Sequence, residues 1–217
     1  MKMSLKPWGM PEHRLFFSKG NRKVACPVFS VSSGTNCIHA KTCPYSNARR
    51  GKPHPEIWCY AQKMERFRPH IAEARDLNAA AIKALGTNRA VICDVAASFA
   101  ARLEKASRLM DVCYVRLNES GDIAAGNIMF LEKLSVELRV RDVRPYLYTR
   151  SQESLADRMR YAGCIVLESD KDFVVVDSKE EAKKLGLVVC PGKGCGKGCL
   201  RCMKENEPVL TTAVVKH

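Results

Sequence analysis

The stretch Val112-Cys-Tyr-Val-Arg-Leu117-Asn-Glu-Ser-Gly-Asp122 decides the fold class of this chain. Its first six residues are mostly apolar, β-branched or aromatic, which predicts a strand. The polar residues and glycine that follow predict a loop. Beyond the loop, apolar side chains recur at three- and four-residue steps and predict a helix to about residue 141; they are Ile128, Leu131, Leu134 and Leu138. One βα unit is therefore expected here.

The same alternation extends outward in both directions. Strands are predicted at 24–32, 90–95, 145–149, 164–168, 173–176 and 187–190. Helices are predicted at 61–84 (ended by Gly86), 97–110, 151–162 (begun by Ser151) and from Asp177 or Ser178 to 185. About five or six βα units indicate an α/β fold with a parallel sheet, as a partial (β/α) barrel or a doubly wound sheet. Residues 1–217 are interpreted as one domain with a basic arm at 1–23.

Composition narrows the class of protein. No window of about 18 apolar residues exists and the charged N-terminus lacks a signal-peptide core, so we expect no membrane contact and a cytoplasmic location. Eleven cysteines in a reducing compartment argue against a disulfide framework. The formal net charge of +13 can attract nucleic acid or another polyanion. The alternative is that the basic residues serve solubility and locally offset anionic metal–thiolate sites.

Seven cysteines form two loops that are expected to bind metal. In the C-terminal loop, 190–204, the four thiols are separated by four, three and two residues, and glycine and lysine surround them; they are Cys190, Cys195, Cys199 and Cys202. Zinc is often held by paired two-residue knuckles, and only one occurs here, so the spacing favours an iron–sulfur cluster over zinc.

The first loop, 37–60, carries Cys37, Cys43 and Cys59 and no obvious fourth ligand. Three cysteines alone indicate a cluster with one open iron. His39 lies in this loop and is interpreted as a solvated residue, with a role as a zinc ligand as the alternative. Of the remaining cysteines, three start predicted strands and are interpreted as small buried hydrophobic residues, while Cys93 stays open as a ligand; the three are Cys26, Cys113 and Cys164.

Polar side chains follow the predicted strands at the same edge as these loops. Glu119, Ser120 and Asp122 come after one strand, and Thr149 and Ser151 come after the next. Ligands in parallel α/β folds bind beyond the C-terminal ends of the strands. We therefore expect Glu119, Ser120 and Asp122 to be catalytic, and Ser120, Asp122, Thr149 and Ser151 to bind a cofactor. The alternative for Asp122 is capping of the next helix.

Short motifs along nearly the whole chain resemble the phage gene-product eighty-eight family. They are Gly20-Asn21 with Lys23, Phe29-Ser30, Ser33-Gly34, Cys37 through Cys43, Cys59-Tyr60-Ala61, Arg75 with Asn78, Val115-Arg116 with Ser120-Gly121-Asp122, Tyr148-Thr149, Cys190-Pro191 and Cys199-x2-Cys202. The resemblance implies a phage or prophage origin, and hence the cytoplasm of a host cell. It implies little biochemistry.

A more distant resemblance is to radical S-adenosylmethionine enzymes, which place a three-cysteine cluster loop after the first strand of a partial barrel. It implies that Cys37, Cys43 and Cys59 hold a 4Fe-4S cluster whose open iron binds S-adenosylmethionine. The C-terminal cysteines would then hold a second 4Fe-4S cluster, and an electron donor would be a partner. The chain departs from that pattern in its first-loop spacing, and Asp94-Val-Ala-Ala97 replaces a Gly-Gly-Glu motif.

Three functions compete at this point. The preferred one is a radical S-adenosylmethionine-like or redox enzyme with two clusters and an anionic substrate, a nucleotide or nucleic acid. The second is a non-catalytic nucleic-acid-binding protein stabilised by zinc or a cluster, where the metal contributes folding energy. The third is a small electron-transfer protein, for which a βα scaffold is large.

Overall fold

The computed structural model describes residues 14–21, 24–33, 36–37, 59–168, 173–190 and 212–215. The strands are β1 (Phe17–Ser18), β2 (Val28–Phe29), β3 (Tyr114–Leu117), β4 (Arg144–Thr149), β5 (Ile165–Glu168), β6 (Phe173–Val176), β7 (Val188–Val189) and β8 (Thr212–Val215). The helices are α1 (Tyr60–Phe67), α2 (Pro69–Leu85), α3 (Arg89–Leu109), α4 (Ile128–Val140), α5 (Glu153–Tyr161) and α6 (Lys179–Lys184).

The larger sheet runs in chain order, β1-β2-β3-β4-β5. β1 pairs antiparallel with β2, whereas β2, β3, β4 and β5 are parallel neighbours. This order lacks the reversal of direction that defines a doubly wound sheet. In the described part of the chain, β1 and β5 lie at the two edges, so closure into a barrel is not observed and the barrel-like arrangement stays a prediction.

Helices α2, α3, α4 and α5 pack against one face of this sheet. The main core joins α2, α3, α4 and α5 to every second residue of the strands, such as Val115, Leu117 and Leu147. The alternate residues form a separate cluster on the other face of the sheet. This cluster contains Val28, Tyr114 and Tyr146. Successive right-handed crossovers explain this arrangement, since they leave all connecting helices on the same side.

The predicted strand at 90–95 is wrong, because these residues form the first turns of α3. Asn88 caps the helix, and its side chain accepts a hydrogen bond from the Val91 amide at 3.3 Å. Five of these six residues are apolar, and a short apolar run fits a buried helix as well as a strand. Residues 94–97, which were expected to follow a strand, therefore lie within a continuous helix.

The apolar residues of 61–84 recur at three- and four-residue steps and predict one apolar helix face that includes Phe67 and Leu77. This prediction is wrong in part. The segment is two helices, α1 and α2, and Phe67 and Leu77 of that face are exposed, at 68% and 45%. The buried side of α2 instead includes Arg75 and Asn78. Gly86 ends α2 as expected.

The smaller sheet has the order β6-β8-β7 and is entirely parallel. Ser178 caps α6 by accepting a hydrogen bond from the Glu181 amide at 3.1 Å, which decides between the two predicted caps. The sequence predicted no element after Cys202, yet β8 is the central strand of this sheet.

Cys26 and Cys164 are buried as predicted, but Cys113 is exposed because the chain bends just before β3. Burial raises the pKa of the Cys164 thiol. No helix in the described residues combines the length and the apolar character that crossing a membrane requires.

Candidate functional site

Polar side chains are buried where β2, β3 and β4 end. β2 ends at Phe29, β3 at Leu117 and β4 at Thr149. Because the three strands are parallel, the residues that follow them lie at the same edge of the sheet, its carboxyl edge. The buried polar residues at or near this edge are Ser30, Ser32, Ser33, Glu65, Arg75, Asn78, Asn118, Ser120, Asp122, Asn127, Thr149 and Ser151. Buried polar groups are costly unless hydrogen-bonded, so their partners define what each one does.

Glu65 is the centre of the first network. It is 4% exposed and lies on α1. Its Oε1 accepts hydrogen bonds from the Ser33 amide (3.1 Å) and the Ser120 hydroxyl (2.9 Å), and its Oε2 accepts one from the Ser33 hydroxyl (2.7 Å). Arg75 Nη1 lies 3.3 Å from Oε1 and pairs with the charge. One carboxylate therefore joins α1, α2 and the ends of β2 and β3.

Arg75 extends this network to Glu119. Its Nη2 lies 3.7 Å from Glu119 Oε2, and Asn21 Nδ2 lies 3.5 Å from Glu119 Oε1. Asn78, one turn along α2, donates to the carbonyls of Phe16 and Ser30 at 2.9 and 2.7 Å. α2 thus faces the sheet with side chains that bind particular backbone groups.

Asp122 is the centre of the second network. Its Oδ1 accepts hydrogen bonds from the Ile123 amide and the Thr149 hydroxyl, and its Oδ2 accepts one from the Arg150 amide. Burial raises the pKa of Asp122, and the hydrogen bonds from Thr149, Arg150 and Ile123 partly offset this shift. The carboxyl group joins the loop after β3 to the end of β4.

Thr149 and Ser151 complete that connection. Thr149 Oγ1 also accepts from the Ser151 amide at 2.9 Å, and the Ser151 hydroxyl donates to the Ile123 carbonyl at 2.9 Å. Ser151 was expected to cap the following helix, but Gln152 occupies the N-cap position of α5. The capping alternative for Asp122 is likewise not observed, since Asn127 precedes α4.

Gly121 lets the two networks lie side by side. Its φ is +74°, and a Cβ there would stand 2.4 Å from Val31 Cγ2 and 3.1 Å from the carbonyl oxygens of Val31 and Ser32. Only glycine accepts this conformation and this approach without a clash. The next residue, Asp122, donates its amide to the Asn36 carbonyl at 3.1 Å. The chain just before Cys37 is therefore held against the loop after β3.

Two side chains near this edge keep polar atoms without a partner in the described structure. Asn118 is 4% exposed, has φ of +55°, and neither its Oδ1 nor its Nδ2 forms a hydrogen bond. Arg116 has a buried Nε without a partner, and its guanidinium lies 4.9 Å from the centre of the Tyr148 ring. Both belong to β3 or directly follow it.

Of the seven cysteines predicted to bind metal, the structure describes three. Cys37 and Cys59 flank the first loop and are partly exposed, and Cys190 directly follows β7. Cys43, Cys195, Cys199 and Cys202 lie outside the described residues, as does His39. Among described residues, no group of three or more His, Cys, Asp or Glu side chains could hold a metal ion. Both metal sites stay predictions, and Cys93 lies on α3.

The structure brings the predicted polar residues together, although their chemical roles stay predictions. Ser120, Asp122, Thr149 and Ser151 lie at one edge, and Glu119 lies beside them. The sequence interpretation missed Glu65, Arg116 and Asn118. Glu65 is one of several charged residues in 61–84, so no feature of the sequence sets it apart, and the family motif includes Arg116 without a role.

These features define a class: an α/β protein whose parallel strands follow chain order and whose carboxyl edge carries a buried polar site. A family model described as Gene product 88 matches residues 12–184. The chain therefore belongs to the gene product 88 family, which confirms the phage gene-product family that its motifs resemble. The matched residues include the first cysteine loop and end before Cys190.

No curated protein matches the chain, and neither does any solved structure. The resemblance to radical S-adenosylmethionine enzymes gains no support from these comparisons.

Proposed function

We propose that this chain is an iron–sulfur protein that acts as a radical S-adenosylmethionine-like or redox enzyme on an anionic substrate, a nucleotide or nucleic acid. Cys37, Cys43 and Cys59 would hold one 4Fe-4S cluster. A second would be held by Cys190, Cys195, Cys199 and Cys202. The basic chain, with a net charge of +13, would attract the substrate.

One observation carries the proposal: both flanks of the first cysteine loop are attached to the carboxyl edge of the sheet. Before the loop, the Asn36 carbonyl accepts a hydrogen bond from the Asp122 amide. After it, Cys59 precedes α1, and α1 is held by Glu65 against Ser33 and Ser120. Ligands of parallel α/β proteins bind at this edge.

The residues present fit such a group. Thiolates are the usual ligands of iron–sulfur clusters, and Cys37 and Cys59 are partly exposed rather than buried in the core. Three cysteines leave one iron of a four-iron cluster open to a substrate or cofactor, and a bound cluster supplies an electron. Glu65 acts as a positioning residue for the flank after the loop, and the Asp122 main-chain amide fixes the flank before it.

The first test is the metal and sulfide content of protein purified without oxygen. About eight irons and eight sulfides per chain are expected for two four-iron clusters. An EPR signal that changes on addition of S-adenosylmethionine would support an open iron. Colourless protein with one or two zinc ions would refute the proposal.

Cysteine variants make this test specific. Cys37→Ser and Cys59→Ser should each lose about half of the bound iron, because each removes a ligand of the first cluster only. Cys113→Ser is the matched control, since Cys113 is exposed just before β3 and belongs to neither loop. Equal iron content in all three variants would contradict the assignment of the first loop.

A second candidate, a metal-stabilised nucleic-acid-binding protein without catalytic activity, is favoured by a different observation. The side chains of the predicted cofactor site form hydrogen bonds with other groups of the protein; they are Ser120, Asp122, Thr149 and Ser151. Such bonds suit a structural role as well as a catalytic one. Zinc as the bound metal, together with salt-dependent binding of nucleic acid, would support this alternative.

A further inference from the structure

The carboxyl end of β3 carries a cation and an amide, and three of their buried polar atoms form no hydrogen bond in the described structure. Arg116 lies on β3 and has no acidic partner among described residues, while its Nε is buried and unpaired. Asn118, two residues further on, is 4% exposed and leaves both amide atoms unpaired. Unpaired buried polar groups are rare in native proteins, and a site that binds a ligand, ion or water is one explanation for them.

The surroundings of Arg116 are aromatic. Its guanidinium stacks 4.9 Å from the centre of the Tyr148 ring, and its strand neighbour in the register is Tyr146. Tyr146 and Tyr148 meet edge to face at 6.0 Å. Stacking fixes the plane of the guanidinium, so its in-plane N–H groups are aimed in a defined direction. A fixed guanidinium of this kind suits a phosphate or carboxylate.

Asn118 requires a different complement. A primary amide offers one acceptor and two donors, so its full partner is a group with a donor and an acceptor side by side. The edges of nucleobases have this pattern, and asparagine binds them through two hydrogen bonds. Leu117 is extended, so the Cα atoms of Arg116 and Asn118 lie about 7 Å apart along the chain. One nucleotide spans this separation between its phosphate and its base.

The two side chains differ in solvent exposure. Arg116 and Tyr148 are partly exposed, whereas Asn118 is buried. Asn118 directly follows Leu117, which pairs with Leu147, so it stands beside Tyr148 at the end of β3. An anionic group would therefore meet Arg116 first, and the edge of a base would reach Asn118 behind it.

We propose that Arg116 and Asn118 form a nucleotide-binding site at the carboxyl end of β3, in which Arg116 binds phosphate and Asn118 binds the edge of the base. This deepens the proposed function, since that proposal leaves the anionic substrate undefined. It also extends the site beyond the polar residues expected from the sequence.

Equilibrium dialysis of AMP against the purified protein tests the site. AMP should bind at least tenfold more tightly than ribose 5-phosphate, which lacks the base. Arg116→Gln should weaken AMP binding about tenfold and reduce its dependence on salt concentration. Arg144→Gln is the matched control, since Arg144 begins β4 at the opposite end of the sheet. No binding of AMP, or equal loss in both variants, would overturn the proposal.

Asn118→Gly separates a ligand-binding role from a structural one. Glycine accepts the φ of +55° and removes an unpaired buried amide. This variant should lose at least tenfold in AMP affinity while its melting temperature stays unchanged or rises. Asn127→Gly is the control, because Asn127 is equally buried (4%) but bonds both Ala124 and Asp122, so its melting temperature should fall. A large drop in the melting temperature of Asn118→Gly would refute the ligand-binding role.

Two further measurements identify the source of the nucleotide and keep the two proposals apart. A short oligodeoxyadenylate that binds more tightly than AMP would show that the site takes a nucleotide of a single strand, and weaker binding would show a free nucleotide. Iron and sulfide are measured on the same samples. If the protein contains iron but does not bind AMP, the nucleotide site is refuted and the cluster proposal stands. If the protein binds AMP but contains no iron, the cluster proposal is refuted and the nucleotide site stands.

Discussion

Replacing Glu65 with glutamine tests whether one carboxylate holds the carboxyl edge together. Glutamine keeps the shape and one oxygen, so the bonds to the Ser33 amide and the Ser120 hydroxyl can persist. The change removes the charge that faces Arg75 at 3.3 Å, where the two side chains are only 9% and 3% exposed. Removing one member of a buried ion pair costs about 3–5 kcal/mol.

The structure favours the lower end of that range. Arg75 keeps a second carboxylate, Glu119, at 3.7 Å, so its charge is not left wholly uncompensated. We therefore expect Glu65→Gln to lower the free energy of unfolding by about 3 kcal/mol. This is a large share of the roughly 5–15 kcal/mol that holds a typical domain together.

Urea unfolding followed by circular dichroism measures the change, with linear extrapolation to water. The matched control is Glu132→Gln, which breaks a two-bond pair with Arg158 at 2.6 Å in each bond. Because the Arg158 side chain is 46% exposed, this control should cost at most about 1 kcal/mol. If Glu65→Gln costs no more than Glu132→Gln, the reasoning about the buried network is refuted.

A double-mutant cycle then assigns the loss to the ion pair. Arg75→Met removes the cation, and its combination with Glu65→Gln should show a coupling energy of about 1–3 kcal/mol. A coupling close to zero would mean that Glu65 acts through Ser33 and Ser120 alone.

Three other changes test the local geometry. Gly121→Ala should destabilise the protein by about 1–3 kcal/mol in urea unfolding, because the new Cβ would meet Val31 at 2.4 Å, whereas Gly126→Ala, with nothing within 4 Å, should not. Since burial raises the pKa of Asp122 above its ordinary 3.8, the folded protein holds this proton more tightly than the unfolded chain does. The contribution of Asp122 to stability is therefore full below pH 3.8 and declines as the pH rises through its folded pKa, so wild type should lose stability relative to Asp122→Asn in unfolding series over pH. Ser178→Ala should cost about 1 kcal/mol and speed amide exchange in α6, because it removes the N-cap.

Each of these expectations has a contradicting result. Equal destabilisation by Gly121→Ala and Gly126→Ala would show that the close approach to Val31 is unimportant. Parallel stability curves of wild type and Asp122→Asn over pH would show that Asp122 has the same pKa in both states. Unchanged exchange in α6 after Ser178→Ala would show that packing, not the cap, fixes that helix.

The sequence predicts the middle of the fold well because local patterns there agree with the tertiary structure. The strand at 114–117, the loop after it, and α4 follow one another with a change of period at each boundary. Residues 90–95 lack such a boundary, because no turn separates them from the helix that follows. The strand prediction failed there, since a short apolar run does not distinguish the two structures.

The candidate site is less predictable for a physical reason. The buried face of α2 contains Arg75 and Asn78, whose partners come from distant segments such as Phe16, Ser30 and Glu65. Periodicity assumes that the buried face is apolar, so it assigned Leu77 to the core instead. Asn118 resembles any loop asparagine in the sequence, and only the structure reveals that its amide is buried without a partner.

Because β8 is the central strand of the smaller sheet and the last in the sequence, this sheet can form only after β8 has been synthesised. β6 and β7 do not pair with each other in the described sheet, because each pairs with β8. During translation, the ribosome releases both outer strands before the residues that will lie between them. Until 212–215 emerge, β6 and β7 have unpaired backbone groups open to other chains. A segment of the nascent chain that covers the unpaired edges of β6 and β7 would therefore raise the yield of native protein.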